Sequence, residues 1–152
     1  MREAVPKDVN ALVRLINAAF MVERFFIDRD RIDAETVKKI MGKGRFIIAE
    51  DDAVMAACIF VELRGERGYF GLLSVDPTRQ KTGLGRKMIT AAEDYFRSHG
   101  CIHSDMRIVN VREELPGFYA RLGYTVTGTA SFEGPVDPLV PCHFILYSKP
   151  LV

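Results

Sequence analysis

Cysteine is scarce in this sequence: Cys58, Cys101 and Cys142 are its only three, odd in number and far apart. Such spacing builds neither a disulfide framework nor a paired-cysteine zinc site, and it accords with a reducing, cytoplasmic compartment. Long apolar runs are missing as well. The longest, residues 53–61, falls far short of the ~20 residues that a membrane-spanning helix requires. The opening stretch MREAVPKDVN lacks the apolar centre of a secretion signal. Nor is there a surplus of charge: Lys and Arg total 21, Asp and Glu 20. At a net charge of +1, no global field draws the chain to nucleic acid or to an anionic membrane. Any anion it binds has to be captured by local structure. Repeats, low-complexity tracts and blocks of like charge are absent too. What remains is 152 residues, 48% of them hydrophobic, enough for one domain over residues 1–152 that buries roughly 70% of its unfolded surface.

Periodicity then orders the elements. Behind Pro6 and Asp8, the spacing of Val9, Leu12, Val13, Ile16 and Phe20 predicts a helix with one apolar stripe. A shorter helix is expected from about Asp33, with Val37, Ile40 and Met41 facing inward and Gly42 and Gly44 ending it. Between the two lies MVERFFIDRDRI, irregular and mixed. Its Phe25 and Phe26 read as seals of the core, the alternative being covers of a substrate pocket. Three runs rich in β-branched and aromatic residues follow at 46–50, 53–63 and 69–75, separated by short polar turns, and predict an antiparallel meander. Next come the longest helix (83–99), a strand (102–109), a short helix (115–122) and two strands (124–132 and 142–149). Residues 133–141, with three prolines, form a surface loop. A strand joined to a strand through a long helix has to run parallel to it. The fold class is therefore α/β, in its α+β form: a mixed sheet of about six to seven strands with about four helices on its faces.

The most informative segment is Val75-Asp76-Pro77-Thr78-Arg79-Gln80-Lys81-Thr82-Gly83-Leu84-Gly85-Arg86-Lys87, a strand end, a turn, two glycines and a helix start. Glycines let backbone approach a ligand closely, and the first turn of a helix leaves N–H groups without intrahelical acceptors. Arg79, Lys81, Arg86 and Lys87 crowd the positive end of the helix dipole with no acid between Asp76 and Glu93. Each such cation is unfavourable by about 0.3–1 kcal/mol unless an anion offsets it. The segment points to a phosphate-bearing ligand. Two other phosphate motifs are excluded by spacing, since Met88 stands where G-x-G-x-x-G needs its last glycine and no Gly-Lys-Ser/Thr occurs.

This stretch resembles the acetyl-CoA signature of the GNAT N-acetyltransferase superfamily, Q/R-x-x-G-x-G/A, with the V-x-P that usually precedes it. A second block, Phe118-Tyr119-Ala120-Arg121-Leu122-Gly123-Tyr124, is similar to that family's FYxxLGF/Y segment. The two stand at opposite ends of one βαβ unit, and the likeness covers nearly the whole chain. It implies the GNAT fold and direct acetyl transfer from acetyl-CoA to a primary amine of a small molecule or peptide. It also implies that Leu73, Ser74 and Val75 offer backbone to the pantetheine arm across a splay between two parallel strands. The diphosphate would be wrapped by main-chain amides of Gln80, Lys81, Thr82, Gly83, Leu84, Gly85 and Arg86. No metal, nucleic acid or membrane is implied, and a homodimer is compatible with the resemblance.

For the chemistry, an amine of pKa about 10 has to lose a proton before attack, and a departing thiolate of pKa about 8.5 gains from a nearby acid. By match to the family's tyrosine, Tyr119 is the acid. Phe118 and Leu122, four apart, are expected to pack inward and turn Tyr119 to another surface. Backbone around Leu73 would steady the oxyanion. Glu62, late in its strand, is the candidate base, with Glu66 in the following turn as the alternative. Many family members carry Asn seven residues before the tyrosine; here Arg112 stands there and Asn110 two residues earlier, so either could take that role. Cys142 and His143 are consecutive on a strand and cannot form a nucleophilic dyad. Cys101, His103 and Asp105 could share a face but read as structural rather than metal-binding. A catalytically silent acyl-CoA-binding or regulatory module of the same fold is the alternative function.

Overall fold

The computed structural model describes residues 1–134 and 136–152, so within the proline-rich loop Pro135 lies outside the described residues. Among the described residues seven strands build one sheet: β1 (Arg2–Glu3), β2 (Arg45–Asp51), β3 (Val54–Arg64), β4 (Arg67–Val75), β5 (His103–Val109), β6 (Thr125–Ser131) and β7 (His143–Pro150). They lie in the order β1-β2-β3-β4-β5-β7-β6, and among the described residues only β4 and β5 run parallel. The helices are α1 (Val9–Ala19), α2 (Ala34–Met41), α3 (Leu84–Ser98) and α4 (Leu115–Arg121). The expected mixed sheet with helices on both faces is what forms. β1, two residues long, was too short to show a period and is an addition.

Strand β3 shows why the sheet is covered twice. Cys58 and Phe60 pack towards α1 and α2, whereas Ala57, Ile59 and Val61 pack towards α3. With both faces buried, the strand needs no polar alternation, and its sequence accordingly reads as one continuous apolar run. Asp33 caps α2, its carboxylate accepting from the Thr36 amide at 2.8 Å. The β2–β3 turn places Asp52 and Ala53 at φ +51° and +63°, a left-handed pair built without glycine.

The parallel pair is incomplete. β4 and β5 are in register only at Arg67 with His103, Gly68 with Ser104 and Tyr69 with Asp105. Further along, Cys58 faces Ser74 while Phe60 faces Gly71, so β4 carries an extra residue, and Leu72 there has a φ of +52°. The Ser74 hydroxyl donates to the Leu72 carbonyl at 2.9 Å and braces this bulge. Beyond Tyr69, the edge of β4 that faces β5 therefore lacks a β5 partner. The expected splay is present, and the bulge lies in the part of β4 that splays.

Candidate active site

A cleft of about 1060 Å³ runs through this splay. Its walls come from both faces of the sheet: Leu73, Val75 and the segment before α3 on one side, Tyr119 of α4 at depth, and residues 19–31 with 132–134 on the other.

The segment before α3 has the backbone geometry that an anion cradle requires. Lys81 and Gly83 both adopt left-handed backbone, φ +67° and +80°, so successive N–H groups turn towards one side. For Lys81 that conformation costs on the order of 1 kcal/mol, a strain that clusters at ligand sites. The Lys87 amide makes the first intrahelical bond of α3, to the Gly83 carbonyl at 3.1 Å. Among the described residues, the amides of residues 80–86 donate to no protein acceptor. Of the residues expected here, Gln80, Lys81, Gly83, Leu84, Gly85 and Arg86 line the cleft with Leu73 and Val75. Two do not: Ser74 is almost wholly buried, and the Thr82 hydroxyl donates to the Arg79 carbonyl at 2.7 Å. Arg79 lines the cleft but is held by Asp76 at 3.2 Å and Asp51 at 3.4 Å, so its charge is partly spent within the protein.

Tyr119 corrects one expectation. Phe118 and Leu122 sit half-buried at the margin of the core, while Tyr119 itself points inward, only 5% exposed. It packs against Phe70, Tyr124 and Tyr147, with ring centroids 6.0–6.4 Å away. Among the described residues its hydroxyl has no hydrogen-bond partner, and the side chain lines the cleft. Burial pushes the phenol well above its ordinary range, against a smaller opposite pull from the Arg112 charge. Tyr119 is thus held as a neutral phenol at the cleft wall.

Glu62 stands apart from that cleft. Its carboxylate is held by the Arg64 guanidinium, and that guanidinium lies 4.1 Å from the centre of the Tyr69 ring. Glu66 is an exposed turn residue. Of the carboxylates that line the cleft, Glu23, Asp30, Glu114 and Glu133, sequence reasoning missed all four, and Glu23 is the one held by Arg112 on the α1 side. It belongs to a short 3-10 turn, Phe20–Glu23, that continues α1, and it stands in register with the helix's apolar stripe at Ile16 and Phe20. An acid on an otherwise inward-facing stripe was the available signal. Burial raises its pKa, opposed by a hydrogen bond from Arg112 Nη1 to Glu23 Oε2 at 2.7 Å. Arg112 also meets Glu114 at 3.3 Å. The two residues left as alternatives by the sequence stand in different places. Arg112 lines the cleft, whereas Asn110 bridges β5 to β7, its Oδ1 accepting from the His143 amide at 2.8 Å.

Phe26 serves as both seal and cover: it is 1% exposed, packed with Val109 and Phe144, and it also lines the cleft. Phe25 does neither, since it is 54% exposed and only touches Phe26 edge-on. The Leu139 amide donates to the Phe26 carbonyl at 2.7 Å, so the two irregular segments close one end of the cleft together. Among the described residues no cluster of three metal-ligating side chains occurs, and Asp105 is committed to Arg67 at 2.6 Å. Among them, too, no helix is long and apolar enough to cross a membrane.

These features define a class of protein. Residues 42–126 match the family model described as an acetyltransferase (GNAT) domain, and the chain belongs to that family of N-acetyltransferases. Solved structures agree on the fold. The ribosomal-protein-S18-alanine N-acetyltransferase from Escherichia coli superposes with a TM-score of 0.80 at 16% identity, over 99% of this chain and 92% of that one. Ard1 from Thermoplasma volcanium gives 0.81 at 13% identity, over 99% and 96%. Nourseothricin acetyltransferase gives 0.78 at 20% identity, over 99% and 97%. No curated protein matches this chain in sequence.

Proposed function

We propose that this chain transfers the acetyl group of acetyl-CoA directly to a primary amine. The observation that carries the reading is the convergence, in one cleft, of open amides at residues 80–86, the unpartnered edge of β4 and the Tyr119 phenol. Diphosphate oxygens fit donors at a helix N-terminus, and an amide-bearing pantetheine arm fits a strand edge. The free state of Cys58, Cys101 and Cys142 suits a cytoplasmic setting.

Glu23, in place of Glu62, accepts the amine proton, directly or through water. Its raised pKa makes it a better base than a surface carboxylate, and Arg112 fixes its orientation. As the new C–N bond forms, the C–S bond breaks and the sulfur takes the Tyr119 proton. The desolvation that makes the phenol a weak acid also makes the thiolate a stronger base, so donor and acceptor stay matched.

Two variants test this reading. Gly83→Asp places a carboxylate at the cradle. No heavy atom lies within 4 Å of the added Cβ, so the fold has room for the side chain, although the φ of +80° strains it. Calorimetric titration is expected to show acetyl-CoA affinity reduced by about 10–100-fold. Unchanged affinity would remove the cradle. Tyr119→Phe is expected to lower kcat by about 10–100-fold in a thiol-release assay with an amine panel, with CoA affinity retained. A silent binding module would instead take up acetyl-CoA and release no free thiol with any amine.

A further inference from the structure

Beyond the thioester, the cleft is lined by guanidinium groups that the transfer chemistry does not use, those of Arg29, Arg31, Arg107 and Arg121, and two of these are held by stacking on aromatic rings. Those two are Arg31 and Arg107. Among the described residues neither has a carboxylate within ion-pair distance: Glu23 and Glu114 are engaged by Arg112, and Asp30 by Arg24 at 2.7 Å. Both are nonetheless held in place. Arg107 Cζ lies 3.9 Å from the centre of the Phe144 ring, and Arg31 Cζ lies 5.4 Å from that of Phe20. Stacking of this kind occupies the face of a guanidinium and leaves its N–H fork free. Arg31 is further fixed through its neighbour: Asn17 donates to the Ile32 carbonyl at 3.0 Å and accepts from the Ile32 amide at 2.9 Å. The two cations also feel each other. Burial lowers the Arg31 pKa, the nearby Glu23 charge raises it, and the Arg107 charge lowers it by a smaller amount.

We propose that Arg31 and Arg107 bind the carboxylate of the acceptor, which makes the acceptor a small amine of the amino-acid type rather than an amine on an uncharged scaffold. Both stacked guanidiniums leave their N–H forks open to the cleft, and a carboxylate matches the planar fork of each. Glu23 beside them receives the ammonium end, so the cleft presents positive and negative groups to a zwitterion. This inference rests on the proposed transferase reading and names the acceptor for the same site.

The experiment compares amino acids with their carboxamides, scored by release of free CoA thiol. The amide has the less basic amine, so without carboxylate recognition it is the better nucleophile at neutral pH. Binding through both arginines is expected to reverse that order, with kcat/KM for the acids at least about 10-fold above that for the amides. Arg31→Gln and Arg107→Gln are each expected to raise KM for the acids by about 10–100-fold with kcat largely kept, and to leave amide turnover unchanged. Amides that match or exceed the acids, or variants that lower both equally, overturn the inference and leave the transferase reading standing. Loss of acetyl-CoA binding in titration would instead overturn that reading. If neither arm is turned over, titration of both arms into the acetyl-CoA-loaded protein decides: acids binding no better than amides overturns the proposal.

Discussion

Glu23→Gln is expected to cut kcat/KM for the acceptor by about 10²–10⁴-fold, the range over which a positioned general base contributes. The same variant should be at least as stable as the parent at pH 8. Burial raises the Glu23 pKa in the folded protein, so the folded state binds that proton more tightly than the unfolded chain does. The associated stability is fully present below the unfolded carboxyl pKa of about 4.3 and is lost as pH rises through the higher folded value. At pH 8 the ionised Glu23 therefore costs stability, and a neutral amide of the same shape avoids that cost. Arg112 keeps Glu114 as a partner in the variant. The pH–rate profile supplies a second readout: the parent's rate should rise through a limb above the ordinary carboxylate range, and the variant should lack that limb. Loss of activity together with a fall in thermal midpoint would make Glu23 a bracket for Arg112 rather than a base. Activity kept within twofold would exclude it from proton transfer.

Glu23 also marks where sequence stops being informative. Elements were legible wherever one face is consistently apolar. The stripe of α1, the meander and the long α3 follow from a periodicity that each residue states locally. The cradle was legible for a related reason, since its donors are main-chain groups whose placement depends on glycines and a helix start. The acceptor half of the cleft is different in kind. Glu23, Arg31 and Arg107 come from a 3-10 turn, an irregular segment and the strand β5. No spacing links them, and only the splay of β4 from β5 brings them together. Tyr119 illustrates a second failure. Stepping around α4 by 100° identifies distinct surfaces, yet it cannot say which surface is inside, and packing against Phe70 and Tyr147 decided that. Leu72 illustrates a third: a left-handed leucine carries no propensity signal because the bulge, not the residue, imposes it.

Lys149→Met is expected to destabilise the fold by about 3 kcal/mol, a fall of about 9 °C in thermal midpoint for a chain of this size. Lys149 Nζ lies 3.1 and 3.2 Å from the two carboxylate oxygens of Glu93, which is only 5% exposed on the inner face of α3. The same carboxylate accepts from the Tyr124 hydroxyl at 2.8 Å, and that hydroxyl meets Ser104 Oγ at 2.7 Å. Methionine fills much of the lysine's volume but leaves a buried carboxylate with one neutral donor, and an unpaired buried charge is where the cost arises. A second substitution separates charge from packing. Adding Glu93→Gln to Lys149→Met removes the stranded charge and keeps an acceptor for Tyr124, so more than half of the lost stability should return. If the double variant is as unstable as the single one, lost packing of the lysine stem against Gly123 explains the effect instead. The outcome bears on the site, because the Tyr124 ring stands edge-on to both Tyr119 and Phe70, at 6.0 and 5.8 Å. Within the block from Phe118 to Tyr124, the second aromatic faces the cleft and the last one, tied to Glu93, holds it there.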